Sequence, residues 1–159
     1  MYKDIVLNYQ INKSFVLSSG RRSDHYFDVK SLLLSNLSWN QIKDSVMSDL
    51  KSKFPEVYYV AGVGIGGSIL ALRLAESRSF EPLVIRDNVK THGLLRQVEG
   101  KFHNGTARTV IVDDVCTTGK SFRKARKVLN EIGLKVLGNY VLLKRKESNF
   151  NCESFISMW

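Results

Sequence analysis

Two apolar runs, each ending in turn-forming residues and each followed by a helical pattern, constrain this chain more than any other feature. Val57-Tyr58-Tyr59-Val60-Ala61 leads into Gly62-Val63-Gly64-Ile65-Gly66-Gly67, after which apolar residues recur through Ile69, Leu70, Leu72 and Ala75. Thr109 to Val112 leads into Asp113 and Asp114, then a turn rich in hydroxyls, Thr117-Thr118-Gly119-Lys120-Ser121. Beyond it Phe122, Ala125, Val128, Leu129 and Ile132 share one helix face, and Gly133 is placed to end that helix. Leu83–Ile85, Val136–Leu143 and Ser154–Met158 read as further strands. Trp39, Ile42, Val46, Met47 and Leu50 read as a helix capped by Asn36 or Ser38. Such alternation predicts an α/β fold with a central, mostly parallel sheet flanked by helices. Ligands bind at the carboxyl ends of the strands in sheets of this kind, where the glycines and the acid pair both fall. Ser14–Leu17 and His25–Val29 are expected to form two strands of a small appended layer.

A length of 159 residues is enough for one domain with its own core. No apolar run approaches a membrane span, and MYKDIVLNYQ has no signal-peptide core, so a cytoplasmic location is expected, with no membrane partner. Cys116 and Cys152 form no C-x-x-C pair, so neither zinc nor a disulfide framework is expected. The formal net charge of +9 directs attention to anionic ligands. The cations are dispersed rather than interleaved with aromatics, which favours a small phosphorylated substrate over nucleic acid.

The glycine stretch matches G-x-G-x-x-G between a strand and a helix, with Asp87 beyond the next strand, a pattern that suits a pyrophosphate compound at a helix N-terminus. A tight turn without a ligand is the plain alternative. The TGKS ending at residues 118–121 resembles an ATP-binding loop, but that loop needs glycine where Asp114 stands. What remains is a strand ending in two carboxylates, which accept hydrogen bonds from sugar hydroxyls, and a turn whose amides and hydroxyls suit a phosphate. A ribose phosphate has both groups. Lys120, Arg123, Lys124, Arg126 and Lys127 crowd the start of the next helix, where cations oppose the helix dipole unless an anion is bound. The polar stretch 87–108 has no clear period. Lys90, His92 and Arg96, with Gly93 and Gly100 as hinges, make it a candidate lid; an incidental basic loop is the alternative.

Together these segments resemble the type I phosphoribosyltransferases, and among them the orotate phosphoribosyltransferases. DDVCTTGKS is similar to that family's signature for 5-phosphoribosyl 1-pyrophosphate (PRPP). FVLSSGRRSDHYFDVK (15–30), VKTHGLLRQVEG (89–100) and VLLKRKE (141–147) are similar to the N-terminal, catalytic-loop and base-facing segments of the orotate enzymes. The resemblance implies one phosphoribosyltransferase domain over 1–159. Its hood would be about residues 1–35 plus the C-terminal strand, its core about 36–145, with a flexible catalytic loop. It implies Mg2+-dependent transfer of the phosphoribosyl group from PRPP to N1 of orotate, giving orotidine 5′-monophosphate and pyrophosphate, a step of pyrimidine (UMP) biosynthesis. It also implies a homodimer whose loop serves the neighbouring subunit.

Residue by residue, Asp113 and Asp114 would hold the ribose hydroxyls, and Thr117, Thr118, Gly119, Lys120 and Ser121 the 5′-phosphate. Gly64, Gly66, Gly67 and Arg86 would lie at the pyrophosphate, and Lys90 and His92 would close over it. Tyr26, Phe27, Thr117 and Arg145 would face the base. Mg2+ would be bound through the substrate, reaching Asp113 or Asp114 only through water. The chain departs from the family at Ser18, Gly66 and Asp87, where various orotate enzymes carry lysine; Arg96 and Lys101 are candidate substitutes. Another base, a non-catalytic PRPP-binding regulator and an NAD-binding module are the competing readings.

Overall fold

Val110 and Val112 belong to one hydrophobic cluster and Ile111, between them, to another, as a sheet buried on both faces requires. The computed structural model describes residues 2–11, 15–16, 22–23, 26–86, 97–103, 108–146 and 148–158. The elements are α1 (Tyr2–Leu7), β1 (Gln10–Ile11), β2 (Phe15–Val16), β3 (Arg22–Ser23), β4 (Tyr26–Phe27), α2 (Val29–Leu34) and α3 (Asn36–Lys53), followed by β5 (Tyr59–Val63) and α4 (Gly64–Ala75). Then come β6 (Glu81–Ile85), β7 (Val98–Glu99), β8 (Arg108–Cys116), α5 (Lys120–Glu131), β9 (Lys135–Arg145) and β10 (Glu153–Met158). The central sheet has the order β10-β9-β8-β5-β6-β7, parallel except for β7, so the expected mostly parallel sheet is present. Val60, Val110, Val112, Tyr140 and Leu142 pack on one face against α2, α3 and α4. Tyr59, Ala61, Val63, Ile111 and Val141 pack on the other against Phe122, Ala125 and Leu129 of α5.

The helices follow the apolar spacing, with corrections at their ends. Trp39, Ile42, Val46 and Leu50 are the buried stripe of α3. Its N-cap is Ser35, whose hydroxyl accepts from the Ser38 amide at 3.3 Å, rather than Asn36 or Ser38. Ser35 also closes α2, so one extended residue serves both helices. Helix α2 begins where a strand was expected to end: the Asp28 carboxylate accepts from the Ser31 amide at 3.1 Å and from its hydroxyl at 2.6 Å, and that cap turns Val29 into the first helical residue. The small layer is two antiparallel pairs, β1 with β4 and β2 with β3. The last strand, which the resemblance groups with the hood, lies in the central sheet beside β9.

The acid pair sits inside β8, which continues to Cys116 because its register with β9 runs on to Lys144. The stretch 87–108 is not wholly irregular: β7 pairs antiparallel with β6, and the Arg86 amide donates to the Gln97 carbonyl at 2.9 Å.

Trp39 is almost fully enclosed in the cluster under α3. Trp39→Ala is expected to cost about 3–5 kcal/mol of unfolding free energy, measured by urea denaturation; a loss under about 1 kcal/mol would mean that this face is loosely packed.

Candidate active site

Helix α4 starts directly after β5 and helix α5 three residues after β8, so two helix N-termini converge on the carboxyl ends of neighbouring parallel strands. Amides point outward at such termini and attract anions. Neither terminus has a side-chain cap in this chain. The buried carboxylates Asp113 and Asp114 lie between them on β8.

The strand pleat sends these carboxylates to different elements. Asp113 Oδ2 accepts from the Ser121 hydroxyl at 3.1 Å, on the α5 side, and Oδ1 accepts from the Asp114 amide at 2.9 Å. Asp114 faces α2 and α4. Its Oδ1 accepts from the Val115 amide at 2.9 Å, and its Oδ2 lies 3.1 Å from the Lys30 ammonium. A Cβ on Gly66 would overlap the Asp114 carboxyl, and one on Gly67 would collide with the Val112 carbonyl. As α4 packs against β8 in this chain, neither position has room for a β-carbon unless the Asp114 carboxyl or the helix shifts.

Charge follows from that crowding. Burial, then the charge of Asp114, push the Asp113 carboxyl up to about 8. Partial burial pulls the Lys30 ammonium down, but attraction and hydrogen bonding to Asp114 outweigh it, and the net shift is upward.

The turn between β8 and α5 is shaped from outside. Gly119 has φ +71°, and a Cβ there would overlap the ring of Phe150, from the β9–β10 connection. Phe150 stacks on Phe122 at 5.4 Å between ring centroids, with the Arg123 guanidinium 5.4 Å above it. Thr117, Thr118 and Lys120 are exposed at this turn.

The other expected site residues divide into four groups. Arg145 ends β9, one residue past the partner of Cys116, and so lies at the same end of the sheet as Thr117. Arg86, at the end of β6, holds Glu99 of β7 at 3.0 Å and lines an open cavity of about 510 Å³ with Gly64, Ile65 and Ser68. Tyr26 is half-buried, whereas Phe27 is packed into the core beneath α2. Ser18, Asp87, Lys90, His92 and Arg96 lie outside the described residues. The sequence reading missed Lys30, placed within three residues of the Asp28 cap, and Phe150, for which no local pattern exists. Among the described residues no group of three or more His, Cys, Asp or Glu could hold a metal ion directly.

The comparisons now bear on this geometry. No protein-family model matches the sequence. The chain is 33% identical over 133 residues to the orotate phosphoribosyltransferase of Pyrococcus furiosus, covering 84% of this chain and 72% of that one. It belongs to the orotate phosphoribosyltransferase family. The crystal structure of the enzyme from Aeropyrum pernix superposes with a TM-score of 0.85 at 33% identity, covering 99% of this chain and 94% of that one. The Mycobacterium tuberculosis enzyme, solved in complex with PRPP, superposes at 0.77 with 21% identity over 98% and 93%, a likeness of fold. The fold is thus that of the type I phosphoribosyltransferases.

The Asp113 shift gives a stability prediction. Its carboxyl titrates near 3.8 when unfolded and near 8 when folded, so the folded chain keeps a proton that the unfolded chain has lost. Stability from this group therefore falls as pH rises from about 4 through about 8, then levels off. Asp113→Asn carries no such proton, so melting curves should shift in its favour, relative to wild type, between about pH 5 and about pH 9. A constant difference across that range would contradict the assignment.

Proposed function

We infer that this chain transfers the phosphoribosyl group of PRPP to N1 of orotate, releasing pyrophosphate and forming orotidine 5′-monophosphate for pyrimidine biosynthesis. The observation that carries this reading is the acid pair held between two uncapped helix N-termini on neighbouring parallel strands. A sugar that bears a phosphate at C5 and a pyrophosphate at C1 needs hydroxyl acceptors in the middle and an anion site on each side. The base rests on the orotate enzymes among the relatives, since the acid pair and the two helix termini suit any ribose phosphate.

In this reading Asp113 and Asp114 accept from the ribose hydroxyls. Thr117 to Ser121, at the start of α5, hold the 5′-phosphate. Gly64, Gly66, Gly67 and Arg86 face the pyrophosphate. Lys90 and His92 close over it, supplying positive charge as the C1–O bond breaks and keeping water from the cationic sugar. Tyr26, Phe27 and Arg145 serve the base side, and residues 1–35 form the hood.

Two carboxylates beside a pyrophosphate suit Mg2+, which binds through one or two carboxylates plus substrate phosphates. When bound, the ion would neutralise charge on the leaving group. Ile65 and Leu72 are large apolar side chains exposed on α4, beside the cavity at Arg86, a surface suited to a homodimer contact; the sharing of the loop between subunits rests on the family resemblance. No helix among the described residues is long and apolar enough to cross a membrane.

Incubated with PRPP, Mg2+ and, in separate reactions, orotate, uracil, hypoxanthine, guanine or nicotinate, the protein should give a nucleotide only with orotate, orotidine 5′-monophosphate, read by mass spectrometry. A nucleotide of another base, with none from orotate, would reassign the substrate. No nucleotide at all would make the chain a PRPP-binding regulator. Lys90→Ala is expected to lower kcat about 100-fold or more while changing PRPP affinity by only a few-fold. Wild-type kcat in that variant would remove Lys90 from the chemistry.

A further inference from the structure

Helix α4 begins Gly64-Ile65-Gly66-Gly67-Ser68, so its first turn offers backbone amides and no side-chain cation. Arg86, the cation at the end of β6, is engaged by Glu99. From α4 itself a pyrophosphate at this terminus would meet only the partial positive charges of the helix end.

The ammonium of Lys30 stands at this place. Lys30 is in the first turn of α2, and its Nζ lies 3.1 Å from Asp114 Oδ2. That oxygen is buried and accepts no other hydrogen bond from the described residues. The Asp114 carboxyl fills the space that a side chain at position 66 would need. Acid, ammonium and the start of α4 therefore meet at one point. The exposures are unequal: the Asp114 side chain is 10% exposed and that of Lys30 43%. An ammonium has three donors, and a half-exposed one has donors left over for a ligand.

We propose that Lys30 is a pyrophosphate-binding residue of the active site: it bridges Asp114 to the pyrophosphate of PRPP at the start of α4, where Gly66 leaves the helix without a side-chain cation. This rests on the reading of the site as a PRPP site and adds the residue that the departure at Gly66 leaves open. Asp114 fixes the ammonium in place before substrate arrives, so little rotamer freedom is lost on binding. In return, Lys30 keeps a buried carboxylate paired while the ribose is absent.

The test compares three ligands by calorimetry on wild type, Lys30→Met and Lys30→Arg: PRPP, inorganic pyrophosphate and ribose 5-phosphate. Lys30→Met should weaken pyrophosphate and PRPP about tenfold or more, leave ribose 5-phosphate within about twofold, and raise KM for PRPP more than it lowers kcat. Lys30→Arg should recover most of the loss. An equal loss for all three ligands would overturn the proposal, because Lys30 would then act only by steadying Asp114; wild-type affinities throughout would overturn it as well. If Lys30→Met fails to give a cooperative melt, Lys30→Arg and Lys30→Gln carry the same comparison. Wild-type protein that binds neither PRPP nor ribose 5-phosphate would defeat the PRPP reading itself, and the inference with it.

Discussion

Contact between the start of α4 and the end of β8 is the constraint on which the rest of the site depends. Residues 66 and 67 lie so close to Asp114 and to the Val112 carbonyl that neither position has room for a β-carbon. That closeness brings the amides of α4 beside a carboxylate, and the parallel pairing of β5 with β8 holds the two in register. The second helix terminus, at Lys120, follows the end of the same strand after three intervening residues. One ligand can then span an anion site, two acceptors and a second anion site without any part of the chain moving far.

The electrostatic arrangement follows from placing two acids side by side in a buried strand. Two full charges there would repel at short range and lose their hydration. The molecule relieves this on both sides of the sheet. On the α5 side Asp113 keeps a raised affinity for its proton and a bond from Ser121. On the α2 side Asp114 has an ammonium. The short capped helix that carries Lys30 thus joins the N-terminal segment to the charge balance of the catalytic centre.

Much of this was legible in the sequence where periodicity is local. Strands β5, β8 and β9 and helices α3 and α5 follow from apolar spacing, because each has one or two buried faces long enough to show a period. The two-residue strands β1, β3 and β7 are too short to show one. Helix α2, with six residues, is too short to show a helical period, and its start is set by the Asp28 cap. The glycines of 62–67 match a nucleotide fingerprint, but the reason for Gly66 is a carboxyl group 48 residues later in the chain, which no local pattern contains. Lys30 escaped notice for the same reason: its partner Asp114 is 84 residues away. The acids and hydroxyls proposed to bind one ribose phosphate lie together in sequence and could be read. Contacts that position them come from elsewhere in the chain.

Titration of PRPP into Gly66→Ala tests the central contact most directly, with Gly133→Ala as a control for glycine replacement at a site with nothing within 4 Å. The added β-carbon must displace the Asp114 carboxyl and separate it from Lys30, so Gly66→Ala should lose PRPP affinity by about 100-fold or more while still melting cooperatively. Gly133→Ala should bind as wild type does. Wild-type PRPP affinity in Gly66→Ala would contradict the account, because the acid pair and the start of α4 would not then share one ligand.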